Sequence, residues 1–365
     1  MIPDALVIGG GAIGCSAALA LSKRGARVRL LERSHVGAEA SSAAAGILGA
    51  HAEAHGDAAL TALCLKSLGM YAGWIAELER ATGVDIGYRP SGSMRLFFER
   101  AAWEREVAAT SATFGEGARA LDGEEARARE PSLAREIAGA VEFPLDCRID
   151  PPALVSALEA GVRGAGVVVT EAAEVAHIDV ETGRVAGVTL ASGEVVRAGT
   201  VVLTAGAWSL LEGSGLAAGV IEPIRGQMIE LRTEARPIDH VVFGPGAYLS
   251  PRDDGRVIVG STQERAGFHK AITVRGIRGL LQGAVACVPA LEDAEIARTW
   301  SGLRPTTPDD APLIGRGRSA GLFVAAGHFR NGILLAPITG EIVAALVSGA
   351  APPTDIAPFA VDRFG

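Results

Sequence analysis

The chain has 365 residues, 48% hydrophobic, with 34 Lys and Arg against 42 Asp and Glu for a formal net charge of −8. That length predicts two domains, or one large α/β domain carrying an insertion. A mildly acidic chain without a basic cluster speaks against nucleic acid and anionic membranes as partners, so any anionic substrate needs a local cation.

Ala5-Leu6-Val7-Ile8 has the β-branched, apolar composition of a buried parallel strand. Gly9, Gly11 and Gly14 follow as G-x-G-x-x-G, and Ile13, Ala17, Leu19, Ala20 and Leu21 continue at helical spacing. A second strand, Arg27 to Leu31, ends on Glu32, eighteen positions after Gly14. The first glycine permits the tight turn, the second lets backbone approach a pyrophosphate, and the third lets helix pack on strand. The helix N-terminus offers unpaired N–H groups to phosphate, and Glu32 accepts ribose hydroxyls. A glycine-rich turn without a ligand is the plainer alternative. Strand, helix, second strand and acid nevertheless all fall where dinucleotide binding requires them. The motif does not separate NAD from FAD, but Glu32 would repel a 2′-phosphate.

Ser41 to His51 is a run of small residues broken by Gly46 and Gly49. Small side chains let a segment lie flat against a bulky ligand, although an Ala-rich helix has the same composition. Asp57 to Thr82 predicts one long helix stopped by Gly83, with Leu60, Leu63, Leu68, Tyr71, Trp74, Ile75 and Leu78 on its apolar face. Between Asp85 and Phe143 the texture changes. Short strands (Val84 to Tyr88, Ser93 to Phe98, Ala138 to Phe143) surround charged helices near Arg100 to Ala112 and Gly123 to Glu130, as in a mixed α+β domain.

The first domain is expected to resume at Asp150, which caps a helix through Ala165. Val167-Val168-Val169 returns to the parallel sheet, and Ala173 to Val180 pairs with Arg184 to Leu190 as a ribbon. Val201 to Thr204 is a further buried strand ending in Ala205-Gly206-Ala207-Trp208, a second place for backbone to touch a dinucleotide. Pro223 to Arg298 is strand-rich, with a turn at Asp253-Asp254-Gly255 and a helix from Val274 to Ala286. Leu322 to Gly327 is strand-like and precedes a helix from Pro337 to Leu346. This junction aims a second helix N-terminus at the ligand. Enclosure from both chain ends favours FAD over NAD.

The four cysteines, Cys15, Cys64, Cys147 and Cys287, fit neither a zinc pattern nor a disulfide framework. No basic-then-apolar leader precedes the first strand and no run of eighteen apolar residues follows, so the expected compartment is the cytoplasm, without membrane contact.

The strings SSAAAGILGAHAE, WSGLRPTTPDDAPLIGR and AAGHFRNGILLAPITG resemble those of the glycine oxidases of thiamin biosynthesis, within the D-amino-acid oxidase and sarcosine oxidase family of flavoproteins. The resemblance implies a Rossmann-type FAD-binding domain (α/β) and a discontinuous α+β substrate domain built on a large mixed β-sheet. The expected division is 1–84, 145–220 and 300–365 for FAD, with 85–144 and 221–299 for substrate. Gly9, Gly11, Ala12, Ile13 and Gly14 would hold FAD in the first turn, Glu32 and Arg33 at the ribose. Ser41, Ser42, Ala45, Gly46 and Ile47 would lie near phosphate and flavin, and Val175 at adenine. His328, Phe329, Arg330, Asn331, Gly332, Ile333 and Leu334 would meet the flavin's polar edge.

For substrate, the resemblance singles out Arg304 as carboxylate clamp and Tyr248 as its companion, with the Gly49 carbonyl accepting from the amine. Arg330 stands beside both flavin and substrate, and Gln263 on the pocket wall. A guanidinium binds a carboxylate through two parallel hydrogen bonds, which suits the clamp. A surface ion pair is the alternative for Arg304, but Gly302-Leu303 and Pro305 suggest a constrained loop. His51 and His328 are candidate bases by residue type, yet the hydride transfer that the resemblance implies needs no acid or base. The products would be an imino acid, hydrolysed to a 2-oxo acid and ammonia, and hydrogen peroxide from molecular oxygen. No cysteine follows Cys287, where relatives of sarcosine-oxidase type attach flavin, so FAD is expected to be non-covalent. A dehydrogenase passing electrons to a carrier and a non-catalytic FAD-binding subunit are the alternatives, and self-association stays open.

Overall fold

The computed structural model describes residues 2–54 and 56–364. Two sheets organise it. The first has six strands in the order 313–316, 322–326, 201–203, 5–8, 28–31 and 168–170, parallel except at the 313–316 edge. Ala5 and Val7 face a core shared with the helices Ala12–Lys23, Ala58–Thr82, Pro151–Gly164 and Ala336–Val347. Leu6 and Ile8 face the opposite core, beneath the strands Val175–Glu181, Arg184–Leu190 and Val195–Arg197. Burial on both faces explains why the strand is apolar throughout and does not alternate.

The second sheet has eight strands, in the order 295–306, 222–232, 256–260, 247–251, 241–244, 93–97, 139–143 and 119–122. Its neighbours are antiparallel except 241–244 with 93–97, so the sheet is mixed. The helix Val274–Cys287 covers one face through Leu280, Ala284 and Cys287.

Several elements differ from the sequence reading. Residues 84–88 form no strand, and only an isolated bridge joins Arg89 to Arg148. The ribbon gains a third strand, Val195–Arg197. Asp150 makes no cap bond. Its carboxylate accepts Arg256 Nη2 at 2.9 Å instead. Arg304 lies within the strand Glu295–Thr306 rather than in a loop, and this strand carries residues 300–306 into the substrate-side sheet. It is the sheet's edge, where Pro305 removes no ladder bond that an inner strand would need.

The helix Ala58–Thr82 follows its prediction closely. Asp57 accepts Leu60 N at 3.0 Å as cap, and Gly83 ends it in the left-handed region at φ 73°. By length and composition it could cross a membrane, yet Leu63, Ser67, Tyr71, Ile75 and Leu78 form a buried stripe packed on the helices Pro151–Gly164 and Ala336–Val347.

Candidate active site

A cavity of about 430 Å³ opens at the carboxyl ends of the parallel strands, where residues 204–208 and 325–330 meet the first glycine turn. Its other wall is the substrate-side sheet, through Gly226, Met228 and Arg304. This is where a doubly wound sheet places its ligand.

The dinucleotide end is built from the first motif. Gly9 sits at φ 102°, and a Cβ there would lie 2.6 Å from the Thr204 carbonyl oxygen. Gly11, Ala12 and Ile13 line the cavity, while Gly14 packs behind it. The helix Ala12–Lys23 has no acidic residue in its first turn, so its partial positive charge faces the cavity unneutralised. Glu32 is buried and bonded by Gly10 N at 2.8 Å and Ser34 N at 2.9 Å, one to each oxygen. Each oxygen keeps room for a hydroxyl donor. Arg33 lies 3.5 Å from the centroid of the Trp208 ring, which leans on Phe268 at 5.2 Å. Val175 also lines this end. These residues fit a dinucleotide.

The small-residue segment forms one helical turn, Ala40–Ala43, then runs extended. Ser41 Oγ accepts Ala12 N at 2.9 Å, tying the turn to the motif. Ser42, Ala45, Gly46 and Ile47 are absent from the cavity wall and support it from behind. Gly46, at φ 75°, would put a Cβ 2.1 Å from the Ile149 carbonyl oxygen, and the Ala45 carbonyl accepts the buried Arg252 Nη2 at 2.7 Å.

Residues 327–335 close the opposite side. His328, Phe329, Arg330, Gly332 and Ile333 line the cavity, and Asn331 and Leu334 are buried beneath. The long helix anchors this segment: Tyr71 donates to the Ile333 carbonyl at 2.5 Å and Ser67 to the Leu334 carbonyl at 2.6 Å. His328 Nε2 stands 3.2 Å from Thr339 Oγ1, and burial pushes its imidazole down to about 3, so it is neutral.

Arg304 projects from the edge strand across its neighbour, opposite Ile224 in register. A Cβ on Gly226 would lie 2.1 Å from Arg304 Nη1, so glycine there gives the guanidinium its seat. Nη2 donates to Ser261 Oγ at 2.5 Å and Nη1 to the Thr262 carbonyl at 3.4 Å. Tyr248 is close by, its hydroxyl 3.5 Å from Met228 Sδ, and burial raises its phenol above the usual range while Arg304 opposes. Trp300 Nε1 donates to the Ala43 carbonyl at 3.0 Å, and Gly302 admits Ala43 where a Cβ would clash at 2.7 Å. Those two residues dock the sheet on the cofactor side, which brings Arg304 to the cavity. Gln263, expected on the wall, is exposed, although its neighbours Ser261 and Thr262 meet Arg304.

Gly49 and its turn lie next to this wall. The Gly49 carbonyl, expected to meet a substrate amine, accepts Glu53 N at 2.9 Å and so has one lone pair engaged. The turn hangs on the fully buried Asp146, whose carboxylate accepts His51 N, Ala52 N, Ser93 Oγ and contacts His51 Nδ1 at 2.8 Å. Glu53 Oε1 stands 3.9 Å from Arg330 Nη1. Sequence reasoning passed over Gly226, Ser261, Thr262 and Glu53. Only Glu53 carried a signal, as the carboxylate inside the string GAHAE.

The family model for FAD dependent oxidoreductases matches residues 4–346. The bifunctional protein ThiO/ThiG of Nostoc sp. is 36% identical over 354 residues, covering 95% of this chain and 53% of that protein. The chain thus spans about half the length of the first curated relatives it matches. A glycine oxidase of Geobacillus kaustophilus is 36% identical over 371 residues, 99% of this chain and 97% of the relative. The crystal structure of glycine oxidase from that organism superposes with a TM-score of 0.94 at 34% identity, covering 100% of this chain and 99% of the other.

Proposed function

Since the chain belongs to the FAD dependent oxidoreductase family, we propose that it oxidises glycine and other small amino acids, sarcosine and small D-amino acids included, to the imino acid. The resemblance to glycine oxidases of thiamin biosynthesis points to thiazole synthesis as the use. The observation that carries the reading is Arg304, seated on Gly226 at the cavity wall with Ser261 and Thr262 fixing its orientation.

Gly9, Gly11 and the first turn of Ala12–Lys23 would hold the pyrophosphate of FAD, Glu32 the ribose, and residues 328–333 the flavin edge. FAD supplies a two-electron acceptor that oxygen empties, giving hydrogen peroxide. Arg304 binds the substrate carboxylate and so sets which face of Cα is presented. Tyr248, packed on Met228, borders the same space and limits side-chain size. Water displaced from the cavity by cofactor and substrate would strengthen the guanidinium–carboxylate contact.

A visible spectrum of the purified protein, followed by anaerobic bleaching with glycine, sarcosine and small D-amino acids, tests the reading. A colourless protein that takes up no FAD, or a yellow one that none of these bleaches, would end it. Peroxide formed under air separates an oxidase from a dehydrogenase that feeds a carrier.

Two further outcomes are expected. Acid precipitation should leave the yellow colour in the supernatant, because all four cysteines are buried with none near Arg304 in sequence. A yellow pellet would mean a covalent link. Gly226→Ala should keep flavin content and melting temperature while raising the KM for glycine about 10- to 100-fold, since the new methyl displaces the guanidinium. Wild-type KM in that variant would mean the seat is not needed.

A further inference from the structure

We propose that Glu53 is the proton acceptor for the substrate amine, taking one proton from the ammonium of an amino acid whose carboxylate rests on Arg304. The proposal rests on the amino-acid oxidation argued above. The step balances simply: the ammonium N–H bond breaks, its electron pair stays on nitrogen, and the proton forms an O–H bond on Glu53. An ammonium has no lone pair to assist hydride loss from Cα, so this transfer must precede oxidation.

Glu53 sits one turn beyond Gly49, in the segment pinned to Asp146. A Cβ built on Gly49 would stand 3.4 Å from its Cγ and 3.5 Å from Oε2, so a glycine at 49 leaves that flank of the carboxylate uncovered. Arg330, on the cavity wall, reaches within 3.9 Å of Oε1. The charged and titratable groups around it come from every neighbouring element: Arg330 from the 329–331 turn, Arg304 from the edge strand, Arg95 from 93–97. Asp146, Tyr248 and Cys64 are the others among the described residues. The guanidiniums also loosen a bound ammonium's hold on its own proton.

Among the described residues, the other bases nearby are engaged elsewhere. His328 is neutral but buried against Thr339, and its imidazole takes up a proton only near pH 3. His51 has Nδ1 on Asp146 and its ring against Phe114, 5.1 Å between centroids. Tyr248 holds its proton more firmly than usual. Burial pushes the Glu53 carboxyl up to about 7, against the pull of Arg330, and a general base works best with its pKa near the working pH. Glu53 is protonated below that value and ionised above it, so it accepts a proton only on the alkaline side.

The test uses the FAD-loaded enzyme and Glu53→Gln, which keeps size while removing the base. Wild-type kcat/KM for glycine should fall as pH drops through about 7. Glu53→Gln should lower kcat/KM at neutral pH by on the order of 10²-fold and abolish that limb. Glu53→Asp should restore the limb. Glycolate, a carboxylate without an amine, should perturb the flavin spectrum with a Kd within about threefold of wild type in Glu53→Gln. A Glu53→Gln enzyme that keeps the limb, or stays within threefold of wild-type kcat/KM, overturns the proposal. So does a parallel loss of glycolate affinity, which would mean a structural role. A wild-type enzyme that oxidises no amino acid overturns the oxidation reading itself, and this proposal with it.

Discussion

Arg304→Ala is expected to raise the KM for glycine so far that kcat/KM falls by on the order of 10²–10³-fold, while the protein stays yellow. A hydrogen bond to a charged group contributes about 1.5–3 kcal/mol, and a bidentate carboxylate contact makes two. A net loss of about 3–4 kcal/mol corresponds to that fold-change. Arg330, the other arginine on the cavity wall, stands 3.9 Å from Glu53 and lies away from the Gly226 seat that orients Arg304. The fold should survive, since Arg304 is only half-buried and its strand is held by register from Glu222↔Thr306 to Arg232↔Glu295. Flavin content and KM are therefore read on the same preparation. Retention of wild-type KM would remove Arg304 from the site.

Gly14→Ala should have the opposite signature, a chain that loses flavin before it loses anything else. The added Cβ would stand 1.9 Å from the Gly9 carbonyl oxygen and 2.6 Å from Thr204 Oγ1. The first of these is backbone and cannot swing aside, so the helix must move off the strand. That movement carries away the N–H groups of the first turn, and flavin per protein should fall about tenfold or more. Gly73→Ala is the control: it meets nothing within 4 Å in a helix interior and should bind flavin normally with equal or higher melting temperature. Full flavin in Gly14→Ala would contradict the tight-turn account.

Arg304 shows both the reach and the limit of sequence reading. The string WSGLRPTT marked it, but Gly302 and Pro305 made a loop the natural expectation. Each residue instead answers to a neighbour that the string does not contain. Gly302 makes way for Ala43, Trp300 bonds the Ala43 carbonyl, and Pro305 sits on an edge. Asp150 makes no cap bond because its carboxylate meets Arg256, a partner 106 positions away that no local string contains. Glu53 was passed over because a carboxylate among small residues carries no chemistry until its partners are known.

The sequence by itself determined the dinucleotide turn, the long helix with its cap and stop, and the C-terminal strand-to-helix junction. Their physics is local: glycine backbone freedom, a helix's own unpaired N–H groups, and apolar runs whose period shows in a few turns. Tertiary structure alone decided that Arg304 would sit on Gly226 beside Ser261, 43 positions away in the latter case, and that Asp146 would pin a turn 95 positions before it. Those contacts depend on strand register and on how one sheet docks against the other. Both are set by burial summed over the whole chain, which no short window contains.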